Sequence, residues 1–144
     1  RGVTVYAQRD SDLGASVNHD LEQEVLELFG RLGVVVTVAE RLMSAATSVC
    51  GVGPAYQALL AEAQVDAAVR HGLTAQLASQ LVNATVSGTA ALLEHRGFDT
   101  LAVRREVTSP GGSTARGLAA LERAGIRSAF QDAIDAVTGQ KGRS

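Results

Sequence analysis

The sequence predicts a mainly α-helical chain opened by a short β-α-β unit. Three observations carry this. Apolar residues recur at helical spacing from Leu42 nearly to the C-terminus, whereas strand-type patterns occur only before Arg41. Turn and cap residues punctuate the helical stretch at regular places. The segment Ala75 to Leu93 carries no charged residue yet spreads polar groups around its circumference, the mark of a helix packed in protein.

In chain order, Val3, Val5 and Ala7 alternate with Thr4 and Tyr6 and predict a strand, and the β-branched run Val34 to Val38 predicts another. Between them Leu21, Val25, Leu28, Phe29 and Leu32 recur at helical spacing, with Gly33 expected as the C-terminal stop. One such unit forms no sizeable sheet alone and is expected to complete a parent sheet. A boundary is placed after residue 41. Helices follow at about Leu42 to Val49, Pro54 to His71, Ala75 to His95, Asp99 to Val107, Thr114 to Ala124 and Arg127 to Thr138. Pro54 suits a first helical turn, Gly72 and Gly125 suit helix ends, and Thr74 suits an N-cap. Residues 139–144 have no apolar content and are expected to be mobile.

Hydrophobic residues make up 46% of the 144 residues but aromatics only 3%, so Ala, Val and Leu must build the core. A chain of this length buries about two thirds of its unfolded surface as one domain, and a single core is expected. With a net charge of −2, no basic run and no aromatic-basic interleaving, nucleic acid is not an expected partner. Cys50 stands alone, and His19, His71 and His95 are scattered over separate segments, so no disulfide or metal site is expected. Glu62, Asp66 and Arg70 fall on one helix face and read as a solvated ion-pair strip.

The charge-free helix is long enough to suggest a membrane span. Gln76, Ser79, Gln80, Asn83, Thr85, Ser87 and Thr89 make it too polar to face lipid. Ala78, Ala84, Gly88 and Ala91 allow close helix approach, and a homodimer that interleaves such helices solves the burial problem.

The segment Val107-Thr108-Ser109-Pro110-Gly111-Gly112-Ser113-Thr114 ends one helix, turns on adjacent glycines and opens another. A helix N-terminus presents unpaired backbone N–H groups, and glycines let a ligand approach them. The turn suits a carboxylate. The hydroxyls of Ser113 and Thr114 either cap the helix or face the ligand.

Three ordered motifs extend this. Cys50-Gly51-Val52-Gly53-Pro54-Ala55-Tyr56, then Leu60-Ala61-Glu62-Ala63-Gln64-Val65-Asp66-Ala67-Ala68-Val69 with Gly72-Leu73, and then the glycine turn followed by Gly117-Leu118 and Leu121-Glu122, resemble the pyrroline-5-carboxylate reductase family over nearly the whole chain. The resemblance implies a helical dimerisation domain of the 6-phosphogluconate dehydrogenase C-terminal-like type. Ahead of it stands the β-α-β end of a Rossmann-type nucleotide-binding domain. The division it implies is 1–41 for that end, 42–138 for the helical substrate-binding and dimerisation domain, and 139–144 for the tail.

The resemblance further implies reduction of 1-pyrroline-5-carboxylate to L-proline with NADPH or NADH, the last step of proline biosynthesis, by a cytoplasmic homodimer or ring of dimers. It implies that Gly111, Gly112, Ser113 and Thr114 bind the substrate carboxylate and that the Thr114 hydroxyl meets the ring nitrogen as the catalytic contact. No Gly-x-Gly-x-x-Gly turn follows a strand: Gly51-Val52-Gly53-Pro54 is a helix start. The chain, which opens on Arg1, is therefore read as part of a longer enzyme, with no cofactor expected on this part and no activity by itself.

Several positions depart from the family pattern. Cys50 and Val52 replace both serines of the Ser-Gly-Ser-Gly motif, Ala68 replaces a glycine, and Glu94 to Thr100 fits poorly. These leave open a second reading, a non-catalytic helical dimerisation module or a paralogue acting on another cyclic imine.

Overall fold

The computed structural model describes residues 2–8 and 19–139. It forms two compact units, residues 1–54 with 131–144, and residues 55–130. The expected tail lies outside the described residues except for Gly139.

In the first unit, β1 (Gly2–Gln8) pairs in parallel with β2 (Gly33–Ala39), in register from Gly2 opposite Gly33 to Gln8 opposite Ala39. Helix α1 (His19–Gly30) lies between them in sequence, as a parallel pair requires. The expected stop at Gly33 is corrected: α1 ends at Gly30, and Arg31 and Leu32 close it by bonding back to Glu27, Leu28 and Phe29. Gly33 serves the sheet instead, because a Cβ there would lie 2.0 Å from the Gly2 carbonyl oxygen. A 3-10 turn (Glu40–Leu42) leads into α2 (Met43–Cys50), which packs on both strands and buries Ser48, whose hydroxyl donates to the Ala45 carbonyl at 2.7 Å.

Helix α3 (Gly53–Arg70) starts one residue before Pro54, and Gly72 follows it at φ +100°. Helix α4 (Ala75–His95) matches its expected bounds, with the Thr74 hydroxyl accepting from the Leu77 N–H at 3.3 Å. The chain then turns through Gly97 and Phe98, both at positive φ, and the Asp99 carboxylate caps α5 (Thr100–Glu106) by accepting from Leu101 and Ala102. Helices α6 (Ser113–Arg123) and α7 (Ile126–Thr138) follow, separated by Gly125 at φ +79°. In the second unit the Tyr56 and Phe130 rings meet edge to face at 6.2 Å.

The expectation of one well-filled core is corrected. Among the described residues the buried hydrophobic side chains are Ala78 and Val82 of α4 and Val103 of α5. Leu21, Leu28 and Phe29 of α1, Val34 and Val36 of β2, and Leu77, Leu81 and Val86 of α4 are exposed. The apolar stripes are present, but among the described residues they are left largely uncovered. A parallel sheet is ordinarily covered on both faces, so two strands with exposed valines form an incomplete layer. The Glu62, Asp66 and Arg70 strip is exposed, but no ion pair joins its members among the described residues. Among the described residues no helix is long and apolar enough to cross a membrane.

Candidate functional site

The turn between α5 and α6 lies wholly within residues 55–130. Its first anchor is Thr108, whose hydroxyl donates to the Arg104 carbonyl at 2.5 Å and ties the turn to α5. The Gly112 N–H donates to the Ser109 carbonyl at 3.0 Å, closing the turn over Pro110 and Gly111. Gly111 sits at φ +68°, where a side chain is disfavoured. At Gly112 a Cβ would displace the Ser109 hydroxyl and lie a tight 3.1 Å from the Ser109 carbonyl oxygen.

Helix α6 starts at Ser113, one residue earlier than expected, and Gly112 is its N-cap with no side-chain cap bond. Neither Ser113 nor Thr114 acts as the cap. The first intrahelical bond is donated by the Arg116 N–H to the Gly112 carbonyl at 3.1 Å. The N–H groups of Ser113, Thr114 and Ala115 therefore precede the helical ladder, as at any helix start. The amide of Gly112 is committed to Ser109, so Gly112 contributes room to approach rather than a donor. Thr114 is half-buried, and its hydroxyl has no hydrogen-bond partner among the described residues. The four expected site residues thus form one continuous edge: Gly111 exposed, Gly112 half-buried, Ser113 exposed and Thr114 half-buried.

Arg116, which the sequence reading did not single out, braces this edge, and Glu122, named there only within the Leu121-Glu122 motif, ties the flanking helices together. The Arg116 guanidinium donates to the Gly111 carbonyl at 2.7 Å and to the Ser113 hydroxyl oxygen at 3.3 Å. Glu122 of α6 receives a two-pronged contact from Arg127 of α7, with Nε at 2.8 Å and Nη2 at 2.8 Å, and lies 4.0 Å from Arg104 of α5. One carboxylate thereby links the helices on both sides of the turn to α7. No sequence spacing announces either contact, because both depend on how the chain reverses.

The hydrogen bond from Arg127, aided by the charges of Arg127 and Arg104, holds the Glu122 carboxyl below its ordinary value. A folded-state pKa below the unfolded one contributes stability above the unfolded pKa, near 4.5, and loses it as pH falls through the folded value. Thermal melts taken from pH 7 down to pH 3 should therefore show a melting temperature falling through this acid range. Glu122→Gln should flatten part of that fall and lower the melting temperature at pH 7. Equal pH dependence in both proteins would remove Glu122 from the link between α5, α6 and α7.

Elsewhere, Cys50 is half-buried with its thiol 3.0 Å from the Ala46 carbonyl, and the Val52 N–H donates to the Thr47 carbonyl at 3.1 Å. Gly51 and Val52 connect α2 to α3, helix to helix rather than strand to helix. Among the described residues no group of three or more His, Cys, Asp or Glu could hold a metal ion. His19 lies 3.6 Å from Glu22 on α1.

A mainly α domain of the 6-phosphogluconate dehydrogenase C-terminal-like type, preceded by a short β-α-β unit, is the class that this architecture defines. The model for pyrroline-5-carboxylate reductase dimerisation matches residues 40–143, and the chain belongs to that family. It is 40% identical over 152 aligned positions to the pyrroline-5-carboxylate reductase of Mycobacterium leprae, covering 94% of this chain and 50% of that protein. Against the Synechocystis enzyme it is 45% identical over 109 positions, covering 76% and 41%. Among solved structures, the Coxiella burnetii pyrroline-5-carboxylate reductase superposes with a TM-score of 0.84 at 28% identity, over 96% of this chain and 52% of that one. The Plasmodium falciparum pyrroline carboxylate reductase with NADP bound does so with 0.80 at 30% identity, over 88% and 51%. The chain spans about half the length of these relatives.

Proposed function

We propose that this chain is the substrate-binding and dimerising part of a pyrroline-5-carboxylate reductase, which reduces 1-pyrroline-5-carboxylate to L-proline in the cytoplasm. The observation that carries the reading is the edge from Gly111 to Thr114. There, backbone donors ahead of the helical ladder and a hydroxyl with no partner among the described residues adjoin a glycine turn, in a chain of this family. On this reading residues 1–41 finish a nucleotide-binding domain, residues 42–138 form the substrate-binding and dimerising domain, and residues 139–144 are a tail. The chain works as a homodimer or a ring of dimers.

Reduction of a C=N bond needs a hydride on carbon and a proton on nitrogen, with the ring held in one orientation. The Ser113 and Thr114 N–H groups bind the substrate carboxylate at the positive end of α6, and the glycines at 111 and 112 leave it room to approach. The Thr114 hydroxyl hydrogen-bonds the ring nitrogen. Threonine is a poor acid, so its contribution is orientation. The nicotinamide supplies the hydride when NADPH or NADH is bound. The residues described here do not fit the cofactor's pyrophosphate: the glycines at 51 and 53 join two helices and lack the preceding strand that such a turn requires. Its binding is assigned to residues outside this chain.

The test compares this chain with a chimaera that places it behind the N-terminal half of the Mycobacterium leprae relative. Calorimetry should show no submicromolar binding of NADPH to this chain alone. The chimaera should oxidise NADPH when pyrroline-5-carboxylate is added. Tight NADPH binding by this chain would put the cofactor site in the wrong place. A folded, dimeric chimaera that binds NADPH but turns nothing over would favour the non-catalytic module that Cys50 and Val52 leave open.

A further inference from the structure

We propose that Arg116 is the positioning residue of the carboxylate edge and the charge by which it selects a carboxylate over a neutral amide. The proposal rests on the substrate-site reading above.

The Gly111–Gly112 peptide unit is pinned at both ends: its carbonyl accepts from the Arg116 guanidinium at 2.7 Å and its N–H donates to the Ser109 carbonyl at 3.0 Å. The next carbonyl, that of Gly112, accepts from the backbone N–H of the same arginine at 3.1 Å. Arg116 therefore fixes two successive peptide units, and the direction of the Ser113 N–H that follows is set by them. Gly111 sits at φ +68°, and the guanidinium adds a second tether to the Ser109 bond that closes the turn. The guanidinium also donates to the Ser113 hydroxyl oxygen at 3.3 Å, which leaves that hydroxyl's own proton free to point at a ligand.

The charge is out of place for the helix alone. A cation near a helix N-terminus opposes the macrodipole, and α6 has no acidic residue in its first turn. Among the described residues no carboxylate pairs with Arg116. A guanidinium has five N–H donors, and the two contacts above leave others unused. An anion at the Ser113 and Thr114 amides would balance both the dipole and the guanidinium, whereas a neutral amide would balance neither.

Amide resonances of Ser113, Thr114 and Ala115 in the isotope-labelled chain report binding of L-proline and, separately, of L-prolinamide. The unaltered chain should bind proline more tightly than prolinamide. Arg116→Ala should weaken proline by about 10- to 100-fold, the range for a charge-assisted hydrogen bond, and weaken prolinamide less, because the neutral ligand loses only the positioning of the edge and not the charge. Arg116→Lys should recover the preference for the carboxylate without the full affinity, because a point charge lacks the planar fork. If the alanine variant melts early, Arg116→Gln carries the same comparison. Equal weakening of both ligands, or an undiminished carboxylate preference in the variants, would overturn the proposal and leave the substrate site standing. Failure of proline to move these amides in the unaltered chain would overturn the substrate site itself, and Arg116 with it.

Discussion

Thr114→Ala in the active chimaera should lower turnover by about 10- to 1000-fold, the range for losing one hydrogen bond made chiefly in the transition state. Thr114 is the second residue of α6, it is half-buried, and its hydroxyl has no partner among the described residues. The N-cap position belongs to Gly112, which has no side chain to lose. Removing the hydroxyl therefore breaks no cap, and the melting temperature should stay close to that of the unaltered protein. A residue whose role were capping would behave in the opposite way, costing about 1 kcal/mol of stability with turnover little changed. Steady-state kinetics and thermal melts on the same preparation separate the two. Turnover that survives alongside a lowered melting temperature would make Thr114 structural and leave the ring nitrogen without its partner. A rise in KM with an unchanged kcat would mean that the hydroxyl binds substrate and transition state equally and adds nothing to the chemical step.

How far the chain could be read before its structure depended on whether a feature was local. Helix ends were legible wherever a cap announces itself: Thr74 caps α4 and Asp99 caps α5 through their own side chains, a few residues from the groups they satisfy. Gly33 was misread because glycine after an apolar helical stripe also fits a helix stop. Its actual role, clearance for the Gly2 carbonyl on the paired strand, involves a residue 31 positions away. The core was overestimated for a related reason. Leu21, Leu28 and Phe29 do form the stripe that their spacing implies, but spacing says that a face is apolar and not what covers it. At the site, the glycine turn and both hydroxyls were legible as an edge of donors. Arg116 was not, because its bond to Gly111 runs five residues backwards across a chain reversal and matches no helical or strand period. Glu122 stands in the sequence only as part of the Leu121-Glu122 motif, and its link to Arg104 and Arg127 exists only once α5, α6 and α7 are together.

Leu81→Asp should separate the dimer. Within one protomer α4 uses Ala78 and Val82 for its own packing, and both are buried against the protomer. Leu77 and Leu81 remain exposed, at 44% and 50%. With Ala84 and Gly88, also exposed, they mark a second stripe at i, i+4, i+7 and i+11 that the protomer does not use. Gly88 is informative here. A glycine inside a helix is less stable than alanine by roughly 0.5–1 kcal/mol, yet a Cβ added at this position would meet nothing within 4 Å in the protomer. The protomer alone has no use for the missing methyl group, whereas a helix from a second copy crossing at close range does. The family model that the chain matches is described as pyrroline-5-carboxylate reductase dimerisation and spans α4, and this stripe is the face on which the substitution tests a second copy. An isologous interface contains each residue twice, so a single substitution acts at both copies. An unpaired carboxylate buried in such an interface costs at least about 4 kcal/mol, which weakens the dissociation constant by about a thousandfold. Sedimentation equilibrium at micromolar concentration should show a dimer or larger assembly for the unaltered chain and a monomer for Leu81→Asp. Gly88→Ala should keep the helix but loosen the assembly. If the unaltered chain stays a monomer of 14.9 kDa at high micromolar concentration, the uncovered stripe on α4 needs another occupant. If both variants assemble as tightly as the unaltered chain, the interface lies on another face.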